Sequence, residues 1–364
     1  MSRFPVQTGC TQSAFMSVIV LVGTTKGAFL LRGGHGDWQL EGPLFKGWQV
    51  TAAGRSPHGR YVLSTASHVY GPALHVSEDL VDWRQVERPP SYGGAEGRRI
   101  DRYWTLAHTP HGLFAGVSEA GLFRAADPAG PWEPVAGLND HPSRPMWQPG
   151  LGGLCAHVVV THAERPSTIW CGISAVGVFR SDDAGTTWHP KNEGVLCALP
   201  DKTWKGIGFC VHGLAVDPRD PDVLYRQDHR GMYRSRDAGD SWQPNETGLP
   251  ASFGFPMVVI PGSGTLLCFP IESDEFRLPP EGKMRVYRST DGGSTWSPSS
   301  RGLPQTHAYA TVLRGAMDTD GSDPCGVYFG TTSGTVHVSA DEGVSWHSLP
   351  WLLPRILCVR AFRA

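Results

Sequence analysis

One eight-residue string recurs four times in this chain: SDDAGTTW (residues 181–188), SRDAGDSW (235–242), STDGGSTW (289–296) and SADEGVSW (339–346), all of the form Ser-x-Asp-x-Gly-x-Thr/Ser-Trp. A fixed-period repeat marks a chain assembled from like units that bury their faces against one another, and it constrains the fold before any other feature is read. Degenerate copies, AADPAGPW, SEDLVDW and RGGHGDW, end at Trp132, Trp83 and Trp38, so the terminal tryptophans stand 45, 49, 56, 54, 54 and 50 residues apart. That period suits a four-stranded antiparallel unit and exceeds a leucine-rich repeat. Each copy follows a strand-like segment such as GVFRS or GMYRS, and the next strand begins at the Trp, so the string is a hairpin turn. In such a turn the Asp carboxylate accepts backbone N–H bonds, Gly takes the positive φ, and Trp covers the hairpin.

These strings resemble the Asp-box, or BNR, repeat, and the resemblance runs from about residue 18 to 362. It implies an all-β chain folded as a seven-bladed β-propeller. Asp-box propellers include sialidases, xyloglucan-cleaving hydrolases, sortilin-type receptors and photosystem assembly factors, so the repeat implies a fold and names no chemistry. As a whole the chain is similar to bacterial BNR or WD40/YVTN-like proteins that are often labelled sialidase by this repeat alone. A true sialidase would carry Arg-Ile-Pro near its start on a six-bladed ring. Here Arg99-Ile100 is followed by Asp101 and Arg355-Ile356 by Leu357, which argues against that activity. The two propellers of a xyloglucanase also exceed 364 residues.

Strand phasing places six innermost strands near residues 48–54, 103–108, 155–161, 210–216, 256–260 and 309–314. The seventh comes from 356–362, and VIVLVGTT supplies the next strand of that blade, so the two should pair and close the ring. Residues 16–364 then form one domain, and 1–15 read as a disordered or mis-started extension. The 32 Lys+Arg against 34 Asp+Glu leave a net charge of −2, which argues against nucleic acid and anionic lipid as partners. No apolar run approaches the roughly 20 residues of a membrane span. The eight cysteines (10, 155, 171, 197, 210, 268, 325 and 358) show no Cys-x-x-Cys spacing, as expected of buried free thiols in the cytoplasm.

In a propeller the Asp-box hairpins share one face, and the turns after each second strand share the other with the starts of the inner strands. This second, top face gathers the unusual residues. Cys155-Ala-His157 and Cys210-Val-His212 hold equivalent places in adjacent inner strands, with His229 at a top turn and Glu272 on the next blade. His157, His212, His229 and Glu272 are therefore candidate ligands for zinc, iron, copper or nickel. Glu272, Asp274 and Glu275, with His229, are candidate acid/base groups on a turn lengthened by LPPEGK. Trp48, Arg102, Trp104, Arg230, Arg277 and Tyr309 are candidate substrate contacts, the arginines suiting an anion. No phosphate loop or nucleophile elbow occurs, so no nucleotide cofactor is expected. The leading expectation is an enzyme of hydrolase or lyase type acting on a small polar or anionic molecule. The alternatives are a non-catalytic binding or scaffold propeller with a protein partner, and a metal-independent glycoside hydrolase using the carboxylates.

Overall fold

The computed structural model describes residues 18–34, 36–94, 97–196 and 206–363. Residues 1–15 therefore lie outside the described residues, as do Cys10 and Cys197. The described residues form five four-stranded antiparallel sheets and one sheet of eight strands, with a single four-residue α-helix, Ala136–Asn139. The eight-stranded sheet is held across its middle by one parallel bridge, Gly315 to Cys358. Cut there, it becomes two more groups of four.

Each group begins with an innermost strand: Gln49–Arg55, Tyr103–Thr109, Ala156–His162, Val211–Asp217, Phe253–Val259, Val312–Thr319 and Ile356–Arg363. Each lies against the next, and the last lies against the first, which closes the cycle. This is a β-propeller. The second strands are buried almost throughout, as in Tyr61–Ser67 and Leu266–Ile271, because sheets pack on both of their faces. Six of the outermost strands shrink to two or three residues and are largely exposed, which leaves little sheet edge open to pairing, while Asp37–Leu44 in the closing group keeps eight.

The expected closure is present. Val18–Thr24 pairs antiparallel with Ile356–Arg363, from Val18 opposite Arg363 to Gly23 opposite Cys358. Two inner strands start elsewhere than the sequence suggests. Phe253–Val259 begins ahead of Pro256, which sits where the pairing shifts register and no ladder N–H is needed. Val312–Thr319 begins three residues after Tyr309, leaving that side chain on an exposed loop.

The repeated string forms the expected turn. Ser181 Oγ donates to Asp183 Oδ1 at 2.8 Å, while the N–H and hydroxyl of Thr187 donate to the two Asp183 oxygens at 2.8 and 2.7 Å. Gly185 N–H donates to Ser181 Oγ at 2.8 Å. The same bonds recur around Asp237, Asp291 and Asp341. Two details exceed the sequence reading. The residue before the conserved Gly is also left-handed, at φ 57° for Ala184 and Ala238. The tryptophans also tie neighbouring blades: the indole N–H groups of Trp242 and Trp296 donate to the carbonyls of Lys191 and Asn245 in the preceding units, at 2.9 and 2.8 Å.

Candidate functional site

Every innermost strand breaks register with its neighbour near its first residues. The pairing skips Thr51, Trp104, His157, His212 and Leu357 singly, residues 255–256 as a pair and 313–316 as a group. A bulge re-aims the side chain of the unpaired residue. Here Thr51, Trp104, His157, His212, Phe255, Arg314 and Leu357 all line one central cavity of about 1030 Å³. Three of these side chains also stitch blades together. Thr51 Oγ1 donates to Tyr103 O at 2.9 Å, His157 Nε2 to Val211 O at 2.8 Å, and His212 Nδ1 to Gly254 O at 2.8 Å. In each case the acceptor is the carbonyl just before the next strand's bulge, left free by the break in its own ladder.

The cavity is cationic although the chain is not. Arg99, Arg102, Arg277, Arg314, Arg355 and Arg360 line it against Asp101, Glu119 and Asp318, an excess of three positive charges. Arg99 pairs with Asp101 at 3.0 Å. Among the described residues, Arg102, Arg277 and Arg314 have no carboxylate partner. Arg102 lies 4.9 Å over the Trp104 ring and reaches Gln49 Oε1 at 3.4 Å. Arg277 and Arg314 share the Phe255 ring, at 5.4 and 4.9 Å from its centre, and Arg277 Nε donates to Asp274 O at 3.0 Å. Arg314 Nε is buried with no hydrogen-bond partner. Burial lowers the proton affinity of Arg102 and Arg314 from the ordinary guanidinium value, yet both remain charged. Desolvated positive charge without a counter-ion is unfavourable, and an anion in the cavity relieves it.

Beside this cavity a second group forms. One ligand atom each of Cys210, His212 and His229 lie within 4.8 Å of one another. His229 Nε2 lies 2.9 Å from Asp274 Oδ2, and its Nδ1 is buried with no hydrogen-bond partner beyond the adjacent Cys210 sulfur. Cys210 foremost, and Asp274 after the opposing effect of burial, raise the proton affinity of His229. Burial, then the charge of Arg314, lowers that of His212 well below the usual value. Phe253 and Phe255 wall the His212 ring at 4.8 and 5.0 Å.

The candidate residues thus divide. His212 and His229 come together as the sequence suggests, but their third member is Cys210, half-buried where a buried thiol is expected. His157 is outside the group, its Nε2 donating to Val211 O, and Glu272 is an exposed side chain that does not line the cavity. Asp274 and Glu275 do not line it either; Asp274 acts through His229 and Glu275 faces solvent. Arg102, Trp104 and Arg277 do line it. Trp48 stacks instead on Tyr70 at 5.7 Å, Arg230 is exposed, and Tyr309 is 57% exposed beside Gly282. Asp228, at the same turn as His229, is fully buried and ion-paired with Arg226 at 2.6 Å, a structural pair below the mouth. Arg314 is the residue the sequence reading left out. It closes the run YATVLR, and alignment of the inner strands on the two Cys-x-His segments would have brought it to the same layer.

Comparison with known proteins agrees with this architecture. The BNR/Asp-box repeat model matches residues 287–298. A xyloglucanase of a Paenibacillus species is 26% identical over 239 residues, covering 55% of this chain and 21% of that protein. Xyloglucanase Xgh74A of Acetivibrio thermocellus is 27% identical over 233 residues, covering 55% and 26%. The chain thus spans about a quarter or less of these relatives. Among solved structures, an ancestral GH74 enzyme has a TM-score of 0.54 at 14% identity, over 86% of this chain and 38% of that one. YCF48 bound to D1 peptide has a TM-score of 0.52 at 12% identity, over 82% and 81%. These likenesses concern the fold. The chain is a β-propeller built on BNR/Asp-box repeats.

Proposed function

We propose that this propeller takes a small anionic molecule, a carboxylate or phosphate, into the top of its central cavity and acts on it as a hydrolase-type enzyme. The observation that carries the reading is the set of three guanidiniums, Arg102, Arg277 and Arg314, facing one cavity without a carboxylate partner. The partial likeness to xyloglucanases supports hydrolytic chemistry in general terms. The six described cysteines are all free, in keeping with a reducing compartment. A carboxylate-only glycosidase is less well supported, because Glu272, Asp274 and Glu275 all stay outside the cavity lining.

Calorimetric titration with small carboxylates and phosphates tests the reading. Binding is expected for anions and not for their neutral amide or alcohol counterparts, with Arg314→Met weakening it by roughly 10- to 100-fold, the loss typical of a charge-assisted hydrogen bond. Equal response to charged and neutral compounds, or no effect of Arg314→Met, contradicts it.

A second reading is favoured by a different observation. Val69, Tyr70, Leu151, Phe276, Tyr309 and Leu352 are exposed apolar side chains on the loops around the same mouth. Such a rim suits a peptide bearing a carboxylate, bound without turnover, and one protein of this fold is seen bound to a peptide. Tight binding of acidic peptides with no product formed favours this reading over the first.

A further inference from the structure

We propose that Cys210, His212 and His229 form a three-ligand site for a divalent transition metal, zinc in the first instance, at the edge of the central cavity. Three features of the side chains carry this. The sulfur and the two imidazoles converge to within 4.8 Å, and closing to the roughly 3.5 Å between tetrahedral zinc ligands asks only for small side-chain adjustments. Each imidazole has one nitrogen committed outward. The carbonyl of Gly254 accepts from His212 Nδ1, and the Asp274 carboxylate accepts from His229 Nε2, at 2.8 and 2.9 Å. That leaves a lone pair on the opposite nitrogen of each ring, the arrangement by which backbone and carboxylate acceptors orient metal-binding histidines. Finally, His229 Nδ1 is buried with no hydrogen-bond partner beyond the adjacent Cys210 sulfur, and a metal bond would satisfy it.

The donor set selects the metal. One thiolate and two neutral imidazoles suit zinc over magnesium or calcium, and three protein ligands leave a fourth position for water or substrate. Binding deprotonates the Cys210 thiol, the proton going to solvent. Asp274 is a positioning residue here: it fixes the tautomer and the orientation of His229. The same atoms also resemble a thiol, a base and its orienting carboxylate, but that reading leaves the convergence of His212 unexplained. Metal binding stands independently of the anion reading. Only the further step, that the metal polarises the anionic substrate held by Arg314, rests on it.

The test is titration of the chelator-treated full chain with Zn²⁺ against a chromogenic competitor, and with Co²⁺ followed by absorption. One equivalent is expected, with a thiolate-to-cobalt charge-transfer band. Cys210→Ser abolishes that band, His229→Ala lowers affinity at least 100-fold, and Asp274→Asn lowers it about 10- to 100-fold. His157→Gln, which keeps the donor to Val211 O, leaves metal affinity unchanged. Circular dichroism melts certify that each variant is folded. Substoichiometric metal in the folded wild type overturns the proposal, as does a cobalt spectrum indifferent to Cys210→Ser. Alkylation of Cys210 that depends on His229 but is insensitive to Zn²⁺ also overturns it, in favour of a thiol–imidazole pair. Anion titration of the metal-free protein, with Arg314→Met as control, separates failure of the metal site from failure of the anion site.

Discussion

His337 shows what this fold does to an ionisable side chain away from the cavity. It is 2% exposed, stacked on Phe329 at 4.7 Å and bonded to Thr335 and Ser348, and burial pushes its pKa down to about 4. An imidazole that prefers to be neutral when folded contributes stability above its unfolded pKa near 6.5, and that contribution drains away as pH falls toward 4. Thermal melts between pH 7 and 4 should therefore show a falling midpoint, and His337→Gln should flatten the slope; an unchanged slope would contradict the assignment. The Asp-box carboxylates act at lower pH. The hydroxyl and backbone N–H of Thr295 hold Asp291 down to about 2, so its support is complete above about 4 and is lost between there and 2. Asp291→Ala should destabilise the protein by about 1 kcal/mol at pH 7, measured by denaturant unfolding, and by clearly less at pH 2. The roles of these turn residues are legible from their types and spacing alone. The role of His157 is not, because its partner is a backbone carbonyl on another blade, and nothing in the sequence marks a carbonyl left free by a bulge.

At the scale of the strand, the bulge near the start of each innermost strand converts an ordinary ladder into a ring of inward side chains. The paired Cys-x-His segments revealed two members of that ring, since they repeat in register. Trp104, Phe255 and Arg314 hold comparable positions but share no residue type with them, so identity gave no cue, and of the three only Trp104 stands among the residues expected from sequence. The same geometry demands small residues on the second strands. A methyl group on Gly116 would fall 2.2 Å from Ala156 O, the carbonyl beside the His157 bulge, so the neighbouring strand would have to move. Gly116→Ala should cost about 1–3 kcal/mol in chemical denaturation, the range for overpacking a filled interior. Gly262→Ala, with nothing within 4 Å of the added carbon, is the control and should be close to neutral. Equal effects at the two positions would show that the close approach beside the bulge does not govern stability.

For the molecule as a whole, closure joins strands more than 330 positions apart in sequence, Val18–Thr24 with Ile356–Arg363. Removing residues 356–364 strips Val18–Thr24 of its inner neighbour and opens the ring, so cooperative thermal unfolding should disappear; a melt within a few degrees of the full chain would show that closure is dispensable. The ring and its closure were readable because repeat period and strand phase are one-dimensional properties. The charge of the cavity was not, since a net −2 conceals an interior in which six arginines meet three carboxylates. That cationic cavity is the centre of the account, and crystals soaked with a small carboxylate or phosphate test it most directly. The anion is expected inside the ring with an oxygen within hydrogen-bond distance of Arg314 Nε and a second guanidinium, Arg102 or Arg277, beside it. Anion density confined to the outer surface at saturating concentration, with the three arginines unchanged, would contradict it.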